Sequence, residues 1–234
     1  SFPTRRSSDL SNKIHLIVLI TSDRGLCGSF NTAMARLAKK RINELLNSNK
    51  IVKILCVGKK GYNQLKREYK DLIINTIVLP YKSNEVDYEF AQKVSHRILM
   101  MYENDKFDSA SIIFSLFRSP LKQEPQLKQI IPVLNNDENT TKNSVESIDK
   151  EIYEYEPEEE YILKNLIPHN ISIQIYRGLL ENAAGEEGAR MIAMDNATRN
   201  AGELIDSLTL NYNRSRQAQI TKELIEVISG AEAV

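Results

Sequence analysis

The chain has 234 residues, of which 41% are hydrophobic, and this size and composition suit one α/β domain with an appendage and a substantial core. Its 31 basic and 31 acidic side chains give a net charge of zero, which disfavours a nucleic-acid-binding protein, since such proteins are usually basic. No run of about 18 apolar residues predicts a membrane-spanning helix, so any link to a membrane is expected to run through partners.

Residues 1–10 read SFPTRRSSDL and carry neither a hydrophobic period nor an apolar face. They match the translation of a common sequencing adapter, so we interpret them as an artefact outside the fold. On this interpretation, the N-terminal part of the natural protein would be missing from the sequence.

Between residues 11 and 156, short apolar runs rich in Ile and Val alternate with helical patterns. This alternation predicts an α/β domain with a Rossmann-like, mostly parallel sheet. The fifth strand is expected at an edge, because Pro125 and Pro132 cannot donate to a strand ladder. The predicted strands are 13–20, 51–57, 72–79, 109–117 and 126–134, and the predicted helices are 29–47, 58–69 and 85–102.

The polar turn after the first strand reads TSDRGLCGSFN. Gly25 and Gly28 give a weak signal for a phosphate cradle, because a dinucleotide-binding fingerprint needs a third glycine and an acidic partner. A tight turn that requires positive φ is the favoured interpretation. Asp23 and Arg24 are expected to be exposed and to form a polar contact surface.

No catalytic or metal-binding constellation emerges from the sequence, so no cofactor and no metal are predicted. The segment GKKG at 58–61 lacks the form of a P-loop and is interpreted as a solvated helix start. Cys27 and Cys56 are predicted to be reduced thiols rather than a disulfide pair. The histidines lie far apart in the chain, at His15, His96 and His169. The first of these is interpreted as a packed or edge histidine within its strand.

The last third of the chain predicts a long helix, from 157 to 234. The polar, Asn-rich residues 135–150 are expected to form a flexible loop before it, and 151–156 alternate like a strand. Pro157 suits the first turn of a helix, with acidic residues 158–160 at the positive end of its dipole. Pro168 is expected to kink or break the helix. Residues 171–234 contain no proline, and a helix of that length extends about 90 Å, so it should project from a domain of this size.

The long helix carries a heptad seam, which is typical of a helix that packs lengthwise on another helix. Its residues are mostly small rather than Leu-rich, and an ordinary coiled-coil face is the simplest interpretation. A face that meets more than one partner is the alternative, because small and polar residues suit a surface that must slide. The seam runs through Met194, Ala197, Ala201, Leu204, Leu208, Asn211, Ser215, Ala218 and, after Lys222, Ile225.

Two long motifs resemble one protein family. The stretches GARMIAMDNATRNAGELI and LNYNRSRQAQITKELIEVISGAEAV resemble the C-terminal signature of the γ subunits of F-type ATP synthases. The segment SDRGLCGSFN at 22–31 resembles the second signature of that family. The resemblance runs in order from about residue 13 to residue 234.

The resemblance implies a non-catalytic central rotor shaft, in which the C-terminal helix and an N-terminal helix form an antiparallel coiled coil. Its implied partners are the α and β subunits of the head, the ε subunit and the membrane c-ring. The shaft would couple proton-driven rotation of that ring to conformational changes at the β catalytic sites during ATP synthesis. The implied location is peripheral, on the cytoplasmic face of a bacterial inner membrane or the matrix face of a mitochondrial one.

Particular residues of this chain match positions with a role in that family. The implied rotor–stator contacts are Arg216, Gln217, Thr221 and Glu223, the implied body contacts to β are Asp23, Arg24 and Cys27, and Tyr153 is implied near the membrane ring or ε. The final residues, GAEAV, would sit in an apolar, weakly binding bearing at the top of the ring of α and β subunits.

The sequence also departs from the family, because the long helix that precedes the first strand in other members is not seen before residue 13. An isolated chain of this sequence is therefore expected to expose the stripe through Ala197, Leu204 and Leu208 and to aggregate or fray. Two other classes of protein stay open at this stage. One is a nucleotide-binding α/β enzyme with a helical oligomerisation tail, and the other is a coiled-coil scaffold or adaptor.

Overall fold

A computed structural model describes residues 13–80, 86–132 and 159–232, with side chains described from 164 to 231 in the last of these ranges. Several predictions fall outside the described residues and stay predictions. They concern the artefact at 1–10, the loop at 135–150, the strand-like segment with Tyr153, and the domain boundary between 156 and 157.

The described domain is built on a five-stranded sheet in the order β3-β2-β1-β4-β5. Strands β1 to β4 pair in parallel, and β5 pairs antiparallel with β4 at the edge of the sheet. The prediction of a mostly parallel sheet is therefore confirmed. The strands are β1 (Ile14–Ile20), β2 (Ile51–Val57), β3 (Ile73–Ile77), β4 (Ser109–Ser119) and β5 (Lys122–Ile131).

Four α-helices accompany these strands in the described part of the chain, together with a short 3₁₀ turn at Lys70–Leu72. The first and last residues of the first three helices lie within three residues of the predicted bounds. The helices are α1 (Phe30–Asn47), α2 (Lys59–Tyr69), α3 (Tyr88–Glu103) and α4 (Glu159–Glu232).

The core has two layers, one on each face of the sheet. Strand β1 is therefore buried on both of its faces, which explains why its sequence is continuously apolar. Leu16, Val18 and Ile20 face the layer that α3 and the first part of α4 cover. Ile17 and Leu19 face the opposite layer, which α1 and α2 cover. The central strand therefore ties the two layers together.

Strand β5 begins four residues earlier than predicted and includes Pro125. This proline lies opposite Ser115 in the pairing with β4. A strand at an edge tolerates proline, because a missing N–H there need not leave a neighbouring strand without a partner. The edge position was predicted correctly, whereas the predicted bounds of 126–134 lie too far along the chain.

Helix α4 runs through Pro168 without ending, so the break that was one of the two predicted effects does not occur, and the other, a kink, stays a prediction. Proline removes one hydrogen bond from the helix, but tertiary packing supports the next turn. The Ser172 hydroxyl lies 2.9 Å both from the Pro168 carbonyl oxygen and from the Ser95 hydroxyl on α3. Ile171 and Ile175 on the same turns are fully buried in the core.

The chain divides into two compact units, residues 1–190 and residues 191–234. Helix α4 contributes Ile171, Ile175 and Leu179 to the core of the first unit. In the second unit, every residue from 194 to 231 is exposed. No helix in the described ranges is both long and apolar enough to cross a membrane.

Candidate interaction sites

The turn after β1 is held by a buried polar clamp, which we define as Ser22 and Asn31. The Asn31 side chain, only 6% exposed, accepts a hydrogen bond from the Ser22 backbone N–H at 3.0 Å and donates one to the Ser22 hydroxyl at 2.8 Å. The Asn31 amide also lies 3.2 Å from the Cys27 sulfur, and the Ser22 hydroxyl donates to the Arg24 carbonyl at 2.7 Å. These buried hydrogen bonds therefore hold both ends of the turn in place.

The clamp presents Leu26 to solvent in an unusual conformation. Leu26 has a φ of 63° and its side chain is 73% exposed. A positive φ is uncommon for a residue other than glycine, and an exposed leucine gains no burial energy to offset its cost. Positive φ was expected in this turn, and it occurs at Leu26 and Gly28. Sequence reasoning missed Leu26, whose backbone conformation leaves no mark in the sequence.

Two of the implied contact residues in this turn have internal roles. Asp23 is half-buried rather than exposed, and its carboxylate accepts hydrogen bonds from the backbone N–H groups of Lys59 and Leu79. The Cys27 side chain is buried, at 3% exposure. The exposed residues of the turn are instead Arg24, Leu26, Gly28 and Ser29, and Leu26 is the one large apolar side chain among them.

The first backbone N–H groups of α2 already have partners, which bears on the nucleotide-binding alternative. Lys59 donates to Asp23, Lys60 donates to the Ser22 carbonyl at 3.1 Å, and Gly61 donates to the Thr21 hydroxyl at 2.9 Å. A phosphate at a helix N-terminus needs such groups to be available. This helix start therefore does not form a phosphate cradle.

The cysteines and histidines take part in packing. Cys27 and Cys56 are both buried free thiols, and burial raises the pKa of Cys56 to about 12. His15 lies 2.7 Å from the Ser109 hydroxyl through Nδ1, and His169 lies 2.9 Å from the Tyr88 hydroxyl. Among the described residues, no cluster of His, Cys, Asp and Glu could hold a metal ion.

The predicted seam lies on the exposed part of α4. Met194 is 39% exposed, and Leu204, Leu208 and Ile225 are each close to 60% exposed. A straight α-helix has 3.6 residues per turn, so a stripe that repeats every 3.5 residues turns slowly around the helix axis, by about 20° per heptad. Seams that wind around a partner helix have this geometry. The apolar residues of the seam thus form an exposed stripe that the polar residues Asn211, Ser215 and Lys222 interrupt.

The four implied rotor–stator residues lie off this seam. With 3.6 residues per turn, Arg216 and Glu223 are one heptad apart on one side of the helix, and Gln217 and Thr221 are one turn apart on another side. All four are exposed. The Thr221 hydroxyl donates to the Gln217 carbonyl at 2.9 Å, and Glu223 accepts from the Gln219 side chain at 3.1 Å. A helix on the seam would leave Arg216, Gln217 and Glu223 available to a different partner, whereas Thr221 lies beside the seam, one heptad after Arg214.

A second apolar stripe occupies the end of α4, on the side opposite the seam. It consists of Ile220, Leu224, Val227 and Ala231, spaced at i, i+4, i+7 and i+11. The first three side chains are between 46% and 70% exposed. The spacing could have revealed this stripe from the sequence, because it is an ordinary helical period. The end of the helix therefore offers apolar surface on two sides.

The described residues form an α/β domain with an exposed turn and an exposed helix, and both are surfaces suited to contact with other chains. A family model described as ATP synthase matches residues 3–234. A protein named ATP synthase gamma chain from Sinorhizobium medicae is 50% identical over 220 residues, which cover 94% of this chain and 73% of that relative. One from Pelagibacter ubique is 48% identical, covering 99% of this chain and 77% of the relative. The chain therefore belongs to the ATP synthase γ chain family.

Solved structures agree with this assignment. The central stalk and c-ring structure of the mitochondrial ATP synthase from Tetrahymena thermophila contains a chain that is 26% identical, with a TM-score of 0.62, over 80% of this chain and 77% of that one. A chain in the Euglena gracilis mitochondrial ATP synthase has a TM-score of 0.69 at 21% identity, over 94% of this chain and 73% of that one. The second likeness shows the fold alone. The sequence resemblance to a non-catalytic γ subunit is confirmed.

Proposed function

We propose that this chain is the central rotor shaft of a proton-translocating ATP synthase. It would turn with the membrane c-ring and drive conformational changes at the catalytic sites of the β subunits during ATP synthesis. Family membership supports this role, and so does the likeness to a chain in the solved central stalk and c-ring of the Tetrahymena thermophila enzyme. The nucleotide chemistry would take place on the β subunits.

The observation that carries the proposal is the exposed apolar surface of α4 beyond residue 194. Leu204 and Leu208 mark the seam, and Leu224 and Val227 mark the opposite stripe, all more than half exposed. A helix that is apolar on more than one side requires partners on those sides. We assign the seam to the N-terminal helix of a γ chain and the opposite stripe to the bearing formed by α and β subunits.

The proposed polar contacts with the α and β subunits lie between those two surfaces. Arg216, Gln217, Thr221 and Glu223 would contact β and differ in their contacts between rotational states. Such contacts bias a rotor only by the difference in their affinity for each state, so a few exposed polar groups suit a motor that must not stall. The assignment rests on their position off the seam.

The body of the domain would contact β through the turn after β1. We assign this contact to Asp23, Arg24 and Cys27, as the resemblance implies. We add Leu26, because it is a large apolar side chain of the turn that is 73% exposed. Asp23 and Cys27 would then act by shaping the turn.

The base of the shaft would face the membrane ring. We assign Tyr153 to the contact with the c-ring or ε, on the resemblance alone. Because the chain would reach the membrane only through these partners, we place it on the cytoplasmic face of a bacterial inner membrane, or on the matrix face of a mitochondrial one.

Co-expression with the α and β subunits of the Sinorhizobium medicae enzyme tests this function. We expect a complex that contains this chain together with the α and β subunits. The same chain preceded by the N-terminal helix of the Sinorhizobium medicae γ chain should turn against those subunits when ATP is added, which a bead fixed to the body of the chain would show. Recovery of the chain as a homodimer without α and β would support an adaptor instead. Saturable ATP binding by the chain alone would support the enzyme alternative.

A further inference from the structure

A groove of about 620 Å3 runs along α3, between that helix and the edge strand β3. Its lining extends along the helix from Phe90 to Asn104 and includes Ile77 of β3 and Lys106. An α-helix of this length rises about 21 Å. Every lining residue lies within the described ranges, and none is next to an undescribed segment in the sequence. A peptide segment spans such a distance, whereas a compact small molecule does not.

The apolar side chains of the lining are partly accessible. Ile77, Phe90 and Met101 pack against the core but are only half-buried. Met100 is 49% exposed. Methionine adapts its shape to different partners, and it is enriched in protein–protein interfaces. The groove can therefore bury apolar side chains of a partner.

The charged part of the lining is basic. Four of the lining side chains are basic and none is acidic, although the chain as a whole has a net charge of zero. The four are Lys93, His96, Arg97 and Lys106. All four are exposed. The groove therefore combines apolar contact surface with a local excess of basic groups.

The carboxylates near the groove leave this basic surface largely available. Glu89 pairs with Lys93 at 2.7 Å, but the two side chains are 69% and 70% exposed, and exposed ion pairs contribute little free energy. The other acidic residues near the end of α3, Glu103 and Asp105, do not line the groove. A carboxylate from a partner would therefore meet little competition.

The basic groups are spread along the groove rather than gathered at one point. Neither the Arg97 nor the Lys106 side chain forms an ion pair with a residue that the structure describes. Lys93 and Arg97 are separated by about 6 Å of helix rise, and Lys106 lies beyond the end of α3. A ligand with one negative charge could pair closely with only one part of this row. The row therefore favours a partner with several carboxylates.

We propose that this groove binds a short segment of a partner protein in which acidic residues are interspersed with apolar ones. The apolar side chains of the segment pack against Phe90, Met100 and Met101. Its carboxylates pair with Arg97 and Lys106, and such charge complementarity selects the partner. None of the residues assigned to the rotor function lines the groove, so the two proposals stand or fall separately.

Fluorescence anisotropy with the full chain tests this site. The probe is a fluorescein-labelled peptide of sequence EELFEELFEE, and the matched probe, KKLFKKLFKK, has lysine in place of each glutamate. We expect saturable binding of the acidic peptide that weakens as salt is added, because salt screens exposed charges. The lysine peptide should bind at least about tenfold more weakly, since it replaces attraction by repulsion at each basic side chain.

Matched variants locate the binding on α3. Arg97→Glu should weaken binding of the acidic peptide roughly three- to thirtyfold, because one attraction becomes a repulsion. Met100→Ala should weaken it roughly two- to tenfold through lost apolar contact. Arg214→Glu makes the same charge change on the exposed part of α4 and should leave the binding constant within about twofold.

The proposal is overturned if the acidic peptide does not bind, if both peptides bind alike, or if Met100→Ala leaves binding unchanged. It also fails if Arg214→Glu weakens binding as much as Arg97→Glu, which would place the peptide on the exposed helix. Displacement of the peptide by an equal concentration of decanoate, an apolar anion with one charge, would indicate a small-anion site instead.

Discussion

Helix α4 passes through two regions in which the same kind of side chain has opposite surroundings. Up to residue 190 one side of the helix lies in the core, with Ile171, Ile175 and Leu179 at most 2% exposed. Beyond residue 194 its apolar residues are exposed, with Leu204 and Val227 more than half accessible to solvent. One helix thus stabilises the domain with its first part and offers an uncovered surface with its second. Substitutions should therefore affect folding in the first region and assembly in the second.

The largest expected effect is at Gly58 in the domain. Its φ is 104°, and a Cβ atom would lie 2.3 Å from the Thr21 carbonyl oxygen, which is backbone and cannot rotate away. Gly58→Ala should therefore lower the free energy of unfolding by more than about 4 kcal/mol, at the upper end for single substitutions. Urea denaturation measures this loss.

The matched control is Gly202 on the exposed helix, where a Cβ would meet nothing within 4 Å. Gly202→Ala should stabilise the helix by about 0.5–1 kcal/mol, because alanine loses less backbone entropy there. Equal effects at the two glycines would contradict the contrast between the two regions.

Paired isoleucine substitutions probe the contrast more directly. Ile175→Ala removes a fully buried side chain and should cost about 2–5 kcal/mol of stability, from lost transfer energy and the cavity that remains. Ile225→Ala removes a side chain that is 58% exposed and should change the stability of the isolated chain by less than about 0.5 kcal/mol. The second change should instead weaken co-purification with its helix partner. A large loss of stability from Ile225→Ala would show that the seam is covered within this chain.

The turn after β1 allows a test within the domain whose expected effect on stability is smaller. Asn31→Ala removes the clamp and leaves the buried Ser22 N–H without its acceptor, which should cost about 1–3 kcal/mol. Leu26→Ala should leave stability within about 0.5 kcal/mol, since the side chain is largely exposed. If Leu26 contacts β, pull-down with the α and β subunits should weaken for both variants. Unchanged binding of Leu26→Ala would remove Leu26 from the contact.

Two arginines two residues apart test the assignment of polar contacts on the exposed helix. Arg216→Ala should weaken the interaction with the α and β subunits by about 0.5–1.5 kcal/mol, roughly two- to tenfold, as for one hydrogen bond. Arg214 is equally exposed but lies about 200° away around the helix, beside the seam. Arg214→Ala should weaken that interaction less, and pull-down of the α and β subunits with each variant measures the difference. The assignment fails if the two variants behave alike.

The smallest effect concerns the pH dependence of stability at the end of the domain. Burial raises the pKa of Glu186 despite its ion pair with Arg190. For an acid with a raised pKa in the folded state, the stabilising contribution is present below the unfolded pKa and is lost as pH rises through the folded value. Glu186→Gln should therefore flatten the decline in thermal stability across that interval, whereas Glu203→Gln on the exposed helix should not. A steeper decline of thermal stability with pH in Glu186→Gln would contradict a raised pKa of Glu186 in the folded state.

Much of the fold could be predicted because it depends on local periods. The continuous apolar run of β1 indicated burial on both faces, and the alternation of strands and helices indicated a parallel sheet. Residues that act through contacts distant in the chain were harder to assign. Asp23 was expected at the surface, yet it joins the first turn to Lys59 and Leu79, which are 36 and 56 residues away.

The sequence by itself determined the class of the domain, the family through two long motifs, and the seam of the long helix, because each depends on residue type and spacing. Only the tertiary structure decided that α4 continues through Pro168, that Leu26 is presented by the Ser22–Asn31 clamp, and that Arg97 lines a groove beside β3. These features depend on which segments meet in space. A hydrogen bond or a close approach between distant residues has no period, so no spacing along the chain records it.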